Sequence, residues 1–372
     1  MKPKLLFVLL FILLIVLIGF VVNKRTKKPQ VSPRSPINNT NPFGMKAGVG
    51  NQVPPEILAK EKAWGFVYQR PNDVTVEEWL SSGGKCDECA KFKASGLGTI
   101  LTIRNNGVNA VGFDARIPTT PPKDIEKYKQ AVAQIIKAYE PEVVVIENEE
   151  NVPPFYYDGT QKGVWDSPND GIDTASEYAK ELNAACGVAH QLGFTCSNGG
   201  MTSEAAAHLT WLNYLKQGKT SAACDFAKRA FYTKQNQDAG EKYCQVKKEA
   251  EIPSEMRELL RNGEKLLEVY KTSSIDYINF HWYIRDAKAF SETAKFLKDF
   301  TNKKVMNNEI GQRKGEGKAE SAKALAQAVV DSGLTYAVWY NSGTPDVDLF
   351  TDSGGNLTPS GQTIVDFIQE NY

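Results

Sequence analysis

Val143-Val144-Val145-Ile146-Glu147-Asn148-Glu149-Glu150-Asn151 is an apolar run that stops abruptly in charge. Four β-branched residues in a row predict a strand buried on both faces, yet three carboxylates and two amides follow at once. An unpaired charge is costly to remove from water, so carboxylates at the end of a buried strand must be paired, solvated in a pocket, or used chemically. The stretch therefore asks the rest of the chain for a second carboxylate and a scaffold that brings the two together.

Outward from that stretch the sequence alternates between short apolar runs and helix-length amphipathic segments. The runs begin at Met45–Gly50, Gly65–Arg70 and Gly98–Arg104, with Val143–Ile146 as the fourth. Phe194–Asn198, Ile275–Ile284, Lys304–Gly311 and Thr335–Tyr340 follow. Helices are expected over Pro54–Ala63, Thr75–Ala94, Lys123–Tyr139, Thr174–Leu192, Ala287–Phe300, Ala319–Ser332 and Pro359–Asn371. Ser203–Tyr270 reads as a long helical excursion broken near Gly218 and Pro253. Eight strand-then-helix units are the count of an α/β fold of the (β/α)8 TIM barrel type. The competing doubly wound sheet would be expected to carry a glycine-rich phosphate turn after its first strand, and Gly48-Val49-Gly50-Asn51 is too short for one.

In such a barrel the active site lies at the C-terminal strand ends. Those ends read Arg70, Arg104-Asn105-Asn106, Glu147-Asn148-Glu149, Asn198, His281-Trp282-Tyr283, Asn308-Glu309 and Trp339-Tyr340-Asn341, a ring of carboxylates, cations, amides and aromatics. Carboxylates on strands four and seven face one another across the mouth. Glycosidic cleavage needs such a pair, one protonating the leaving oxygen and the other staying ionised. Arg70 beside one glutamate would hold it charged, Tyr283 could donate a hydrogen bond to it, and Trp339 could floor a pyranose ring.

The layout resembles the clan A retaining (β/α)8 glycoside hydrolases. The resemblance rests on Asn148-Glu149 at strand four and on Glu309 in Asn308-Glu309-Ile310-Gly311 at strand seven, supported by Arg70, His281, Tyr283 and Trp339. It implies Glu149 as acid/base and Glu309 as nucleophile, with Arg70, Asn148, His281, Tyr283 and Trp339 binding substrate. Members often read Asn-Glu-Pro at strand four; here Glu150 replaces the proline and Glu147 adds a third carboxylate. Strand alternation would point both Glu147 and Glu149 inward, so one of them could instead partner Arg70 or Arg104. Glu150 reads as a solvent-facing loop residue.

Composition restricts the alternatives. Lys plus Arg equals Asp plus Glu at 44 each in 372 residues, a balance that argues against nucleic acid as a partner. The three histidines lie in no zinc-ligand spacing, so no metal or other cofactor is expected. Leu5–Val22 is an 18-residue apolar run between basic flanks, about 27 Å as a helix. It is read as an uncleaved transmembrane anchor in preference to a signal segment. Residues 23–44 read as a flexible linker and 45–372 as the catalytic domain, outside the cytoplasmic membrane or secreted, and monomeric. The cysteines fall as Cys86/Cys89, Cys186/Cys196 and Cys224/Cys244; local pairing is possible, but six allow fifteen connectivities.

The remaining features have plainer readings. Trp64, Trp79 and Trp211 lie on helical segments and are expected to pack. Phe155-Tyr156-Tyr157 and Trp165 could flank a sugar cleft or merely pin their loop, and Asp166–Asp173 lacks the ligand spacing of a calcium loop. The function expected is a retaining β-glycoside hydrolase acting on an oligo- or polysaccharide. A catalytically silent glycan-binding barrel and a transglycosylase using the same two glutamates are the alternatives.

Overall fold

The computed structural model describes residues 41–46, 53–107, 117–157, 173–231, 238–313, 318–340, 350–351 and 355–372. The stretch read as an anchor and most of the stretch read as a linker fall outside the described residues. Among those described, no helix is long and apolar enough to cross a membrane.

Eight parallel strands close into a barrel. They are β1 (Phe43–Lys46), β2 (Tyr68–Arg70), β3 (Gly98–Arg104), β4 (Val143–Ile146), β5 (Thr195–Asn198), β6 (Tyr277–Asn279), β7 (Lys304–Ile310) and β8 (Ala337–Trp339). Each pairs with the next, and β1 pairs with both β2 and β8, which shuts the ring. Two further residues, Val74 and Thr75, extend the β2 side by pairing with Ile103 and Arg104. The first strand starts at Phe43, inside the stretch read as linker, because its side chain packs on Phe367 and Tyr372. Gly44 is required there: a Cβ would come within 2.7 Å of the Tyr68 Cβ.

Both faces of the strands are buried. Tyr68, Ile100, Val143, Val145, Tyr277, Met306, Tyr336 and Val338 fill the barrel interior. The residues between them, such as Met45, Leu101, Val144, Ile146, Ile278, Val305 and Trp339, pack outward under the helices. The period of two is intact but masked by burial on both sides, so the strands read as unbroken apolar runs.

The helices form the outer layer. They are α1 (Pro55–Ala63), α2 (Val76–Ser81), α3 (Asp87–Ser95), α4 (Ile125–Tyr139), α5 (Thr174–Gln191), α6 (Ser203–Lys216), α7 (Thr220–Ala230), α8 (Ser254–Thr272), α9 (Ala287–Thr301), α10 (Ala319–Asp331) and α11 (Pro359–Asn371). In α4 the buried residues Tyr128, Ala131, Val132, Ile135, Ile136 and Tyr139 follow helical spacing, and Asp124 caps the first turn by accepting the Lys127 N–H. The single helix expected over Thr75–Ala94 is two, because Gly83 and Gly84 take left-handed φ values of 68° and 75° between them.

All six cysteines pair locally, Cys86 with Cys89, Cys186 with Cys196 and Cys224 with Cys244. The second bridge ties α5 back to β5, and the third ties α7 to the short 3-10 helix Glu241–Gln245. Trp79 and Trp211 are buried in the core as expected, and Trp64 packs at its edge.

Candidate active site

Glu309 stands near the end of β7, 8% exposed, where polar groups converge on it. Arg70, from the end of β2, is buried and directs Nη1 at Glu309 Oε2, 2.5 Å away. Its Nη2 reaches Asn148 Oδ1 at 3.0 Å and Asp73 Oδ1 at 3.3 Å, so the guanidinium is held from several sides. Tyr283 donates its hydroxyl to Glu309 Oε1 at 2.6 Å. Burial by itself would push the Glu309 carboxyl up. The His281 and Arg70 charges, with the hydrogen bonds from Tyr283 and Arg70, outweigh it and hold the group at about 2, ionised at any ordinary pH.

At the other wall the extended backbone of β4 ends at Ile146. Glu147 and Glu149 take left-handed φ values of 70° and 47°, which destroys the alternation that would have sent both side chains inward. Glu147 turns into the barrel wall instead, where it is wholly buried. Its Oε1 accepts the Asn105 N–H at 2.7 Å and the Thr119 hydroxyl at 3.2 Å, and Arg104 Nε lies 3.7 Å from Oε2. Glu150 is also buried, contrary to its reading as a solvent-facing residue. Its Oε1 accepts from Tyr270 Oη at 2.5 Å and from Asn198 Nδ2 at 3.0 Å. Gly199 permits the turn to pack, since a Cβ there would meet the Glu147 carbonyl carbon and Glu150 Oε2 at 2.6 Å. Of the three carboxylates, only Glu149 is left to face the mouth.

His281 connects the two sides. Its Nδ1 is 2.9 Å from Glu149 Oε1 and 3.7 Å from Glu309 Oε2. Its proton count follows from its neighbours. The Asn308 N–H donates to Asn279 Oδ1, so Asn279 Nδ2 is the group aimed at Asn308 Oδ1, 2.7 Å away. Asn308 Oδ1 is thus the acceptor for His281 Nε2 as well, at 3.0 Å. With Nε2 donating there, His281 and Glu149 hold one further proton between them, on Nδ1 or on the carboxyl. Burial would lower the imidazole, but the Glu309 charge and the Glu149 contact raise it above its ordinary value.

The donor atoms of Glu149, His281 and Glu309 all lie within 4.8 Å of one another. Such a trio could hold a cation, but Arg70 already occupies Glu309 Oε2 and the imidazole carries a shared proton. The donor set fits two carboxyl groups compensated by cations of the chain better than it fits a metal.

Trp339 does not floor the site. Val338 points into the barrel, so Trp339 points outward, 3% exposed and edge-on to Phe350 with ring centroids 6.3 Å apart. The next residue, Tyr340, takes the place expected for it and lies edge-on to Tyr283 at 6.0 Å. Lys46 at the end of β1, which is not among the strand-end residues named from the sequence, places its Nζ 5.8 Å from the Tyr340 ring. Alternation from Val338 and Gly44 was the signal that places both. Phe155 and Tyr156 are buried in the loop packing, Tyr156 donating to Glu181, while Trp165 and most of Asp166–Asp173 lie outside the described residues.

No protein-family model matches the sequence, and no curated protein matches it. Among solved structures, the chain is similar to a GH5-4 broad specificity endoglucanase from Clostridium longisporum, with a TM-score of 0.53, 13% identity, and coverage of 92% of this chain and 100% of that one. It is also similar to the endo-β-1,4-mannanase from Thermotoga petrophila, with a TM-score of 0.50, 10% identity, and coverage of 88% and 76%. At these identities the likeness is one of fold, and that fold is the closed (β/α)8 barrel.

Proposed function

We propose that the chain is a retaining β-glycoside hydrolase acting on an oligo- or polysaccharide. Glu149 would protonate the glycosidic oxygen as the Glu309 carboxylate attacks the anomeric carbon, so that the leaving alcohol departs and a glycosyl ester forms on Glu309. Water then gives its proton to Glu149 and attacks the same carbon, which releases Glu309 and a sugar of retained configuration. Asn148 and Arg70 would bind the sugar hydroxyls beside the nucleophile, and Tyr283 and His281 would hold the two carboxyl groups in place.

The observation that carries this reading is the closeness of Glu149 and Glu309, oxygens within 4.8 Å. Retaining pairs stand about 5 Å apart, whereas inverting pairs leave ~6.5–9.5 Å for a water. A silent glycan-binding barrel would be favoured by a Glu149 turned away or paired with an arginine of the wall. Glu147 is the residue paired in that way, with Arg104.

The apolar run Leu5–Val22 and the three local disulfides support placing this activity outside the cytoplasmic membrane, tethered by the N-terminal segment. The test of function is a panel of aryl β-glycosides and polysaccharides, with the first-formed anomer read by NMR and Glu309→Gln run alongside. Turnover with retention that the substitution abolishes in a folded protein is the expected result. Full activity in Glu309→Gln, or an inverted product, overturns the assignment, and transfer to an acceptor sugar in place of water would identify a transglycosylase.

A further inference from the structure

Of the buried basic side chains Lys46, Arg70 and His281 at the mouth, the last two have a carboxylate partner among the described residues. Arg70 has Glu309 and Asp73, and His281 has Glu149. Lys46 has none within ion-pair distance among the described residues. The residue is 7% exposed, and among the described residues its ammonium makes one hydrogen bond, to Asn72 Oδ1 at 3.0 Å. Its position is fixed by the barrel. In the β1–β2 register Lys46 lies opposite Arg70, and it shares the inward face with Gly44. Through Tyr340 it is two ring contacts from Tyr283, which hydrogen-bonds the Glu309 carboxylate.

A buried ammonium beside a guanidinium is unfavourable unless something answers it. Burial, and then the Arg70 charge, lower the Lys46 ammonium to about 8 in the free protein. Asp73 and Glu309 pull the other way without closing the gap. The spare donors and the unanswered charge describe a place for an anion brought by the substrate.

We propose that Lys46 is a specificity residue that receives an anionic group, a uronate carboxylate or an ester sulfate, on the pyranose bound beside Glu309. A neutral sugar would leave the ammonium unanswered, whereas an acidic one would form a desolvated, charge-assisted hydrogen bond in a site already lined by Arg70. This inference rests on the proposed glycosidase reading, and its test separates the two. Binding is read by NMR titration of the Glu309→Gln protein with methyl β-D-glucuronide, methyl β-D-glucoside and methyl β-D-glucoside 6-sulfate. Turnover of the corresponding aryl glycosides is read on the unsubstituted chain.

Preference for an acidic sugar over the neutral one by about tenfold or more is the expected result. Lys46→Met should bring the sugars to within about threefold, and Lys46→Arg should restore the order. The carboxylate and sulfate arms decide which anion is received. Equal binding of neutral and acidic sugars overturns the proposal and leaves the glycosidase reading intact. Selective binding of the acidic sugar with no turnover of any aryl glycoside supports the role of Lys46 and overturns the hydrolase. A preference unchanged in Lys46→Met assigns the selectivity elsewhere and overturns the proposal.

Discussion

Tyr283 donates its hydroxyl to Glu309 Oε1 at 2.6 Å, on the oxygen that Arg70 leaves open. Burial raises the carboxyl, and this hydrogen bond is among the groups that bring it down to about 2. Tyr283→Phe removes a hydrogen bond to a charged group, worth roughly 1.5–3 kcal/mol, so kcat/KM should fall about 10- to 100-fold. The Glu309 pKa should also rise, which moves the acid limb of the pH profile upward. Arg70→Met should move it further. An acid limb that stays in place in both variants would show that these groups do not hold the nucleophile ionised.

Glu149, and not Glu147, is expected to carry the proton of catalysis, and chemical rescue separates them. Glu149→Ala should still form the glycosyl ester from a substrate whose leaving group needs no acid, such as a dinitrophenyl glycoside. It should then stall, because water lacks its base. Azide, which needs no base, should restore turnover and yield a β-glycosyl azide. Glu147→Ala should show no azide effect and should lose stability, since it removes the buried carboxylate that lies beside Arg104 in the wall. Rescue of the Glu147 variant would exchange the roles.

That distinction marks where the sequence stops being informative. The barrel was readable because eight apolar runs separated by amphipathic helices admit few topologies. The facing of Glu149 and Glu309 followed from strand order. Side-chain direction within Glu147–Glu150 was not readable, because alternation holds only while the backbone is extended and two left-handed residues interrupt it. Nothing local announces the partners of Glu150, which come from Asn198 and Tyr270, 48 and 120 residues away. Trp339 was misassigned for a different reason: its residue type suited a sugar platform, while the inward parity of Val338 already gave that face to Tyr340.

Glu147 and Glu181 are both wholly buried in the wall, and the Glu147 charge adds to burial in pushing the Glu181 carboxyl well above its ordinary value. Burial raises Glu147 to about 7 against an ordinary 4.5, although Arg104 and the Asn105 N–H pull it down, and burial raises Glu181 as well. The folded state therefore binds protons more tightly than the unfolded chain. The stability this pair contributes is complete below about pH 4.5 and is lost as the pH rises through about 7. Glu181→Gln supplies a donor that does not titrate, so it should flatten the decline and raise the urea midpoint at pH 8 relative to the parent protein. Parallel midpoint curves for the two proteins between pH 5 and pH 8 would refute this pH linkage.

Trp339 and Tyr340 are neighbours in sequence with opposite duties, and their substitutions should fail in opposite ways. Trp339 is buried against Phe350 under the helical layer, so Trp339→Ala opens a cavity and should cost about 3–5 kcal/mol of stability. At a temperature where the variant is folded, KM should change little, because the indole does not reach the mouth. Tyr340 meets Tyr283 edge-on and lies under the Lys46 ammonium. Tyr340→Ala should leave stability within about 1 kcal/mol of the parent while raising KM for the sugar and loosening the hydroxyl that binds Glu309. Unfolding midpoints and KM measured on both variants decide the matter. A Trp339 variant of normal stability and raised KM would return the indole to the substrate, and would show that the outward face of β8 is not where the ring spends its time in solution.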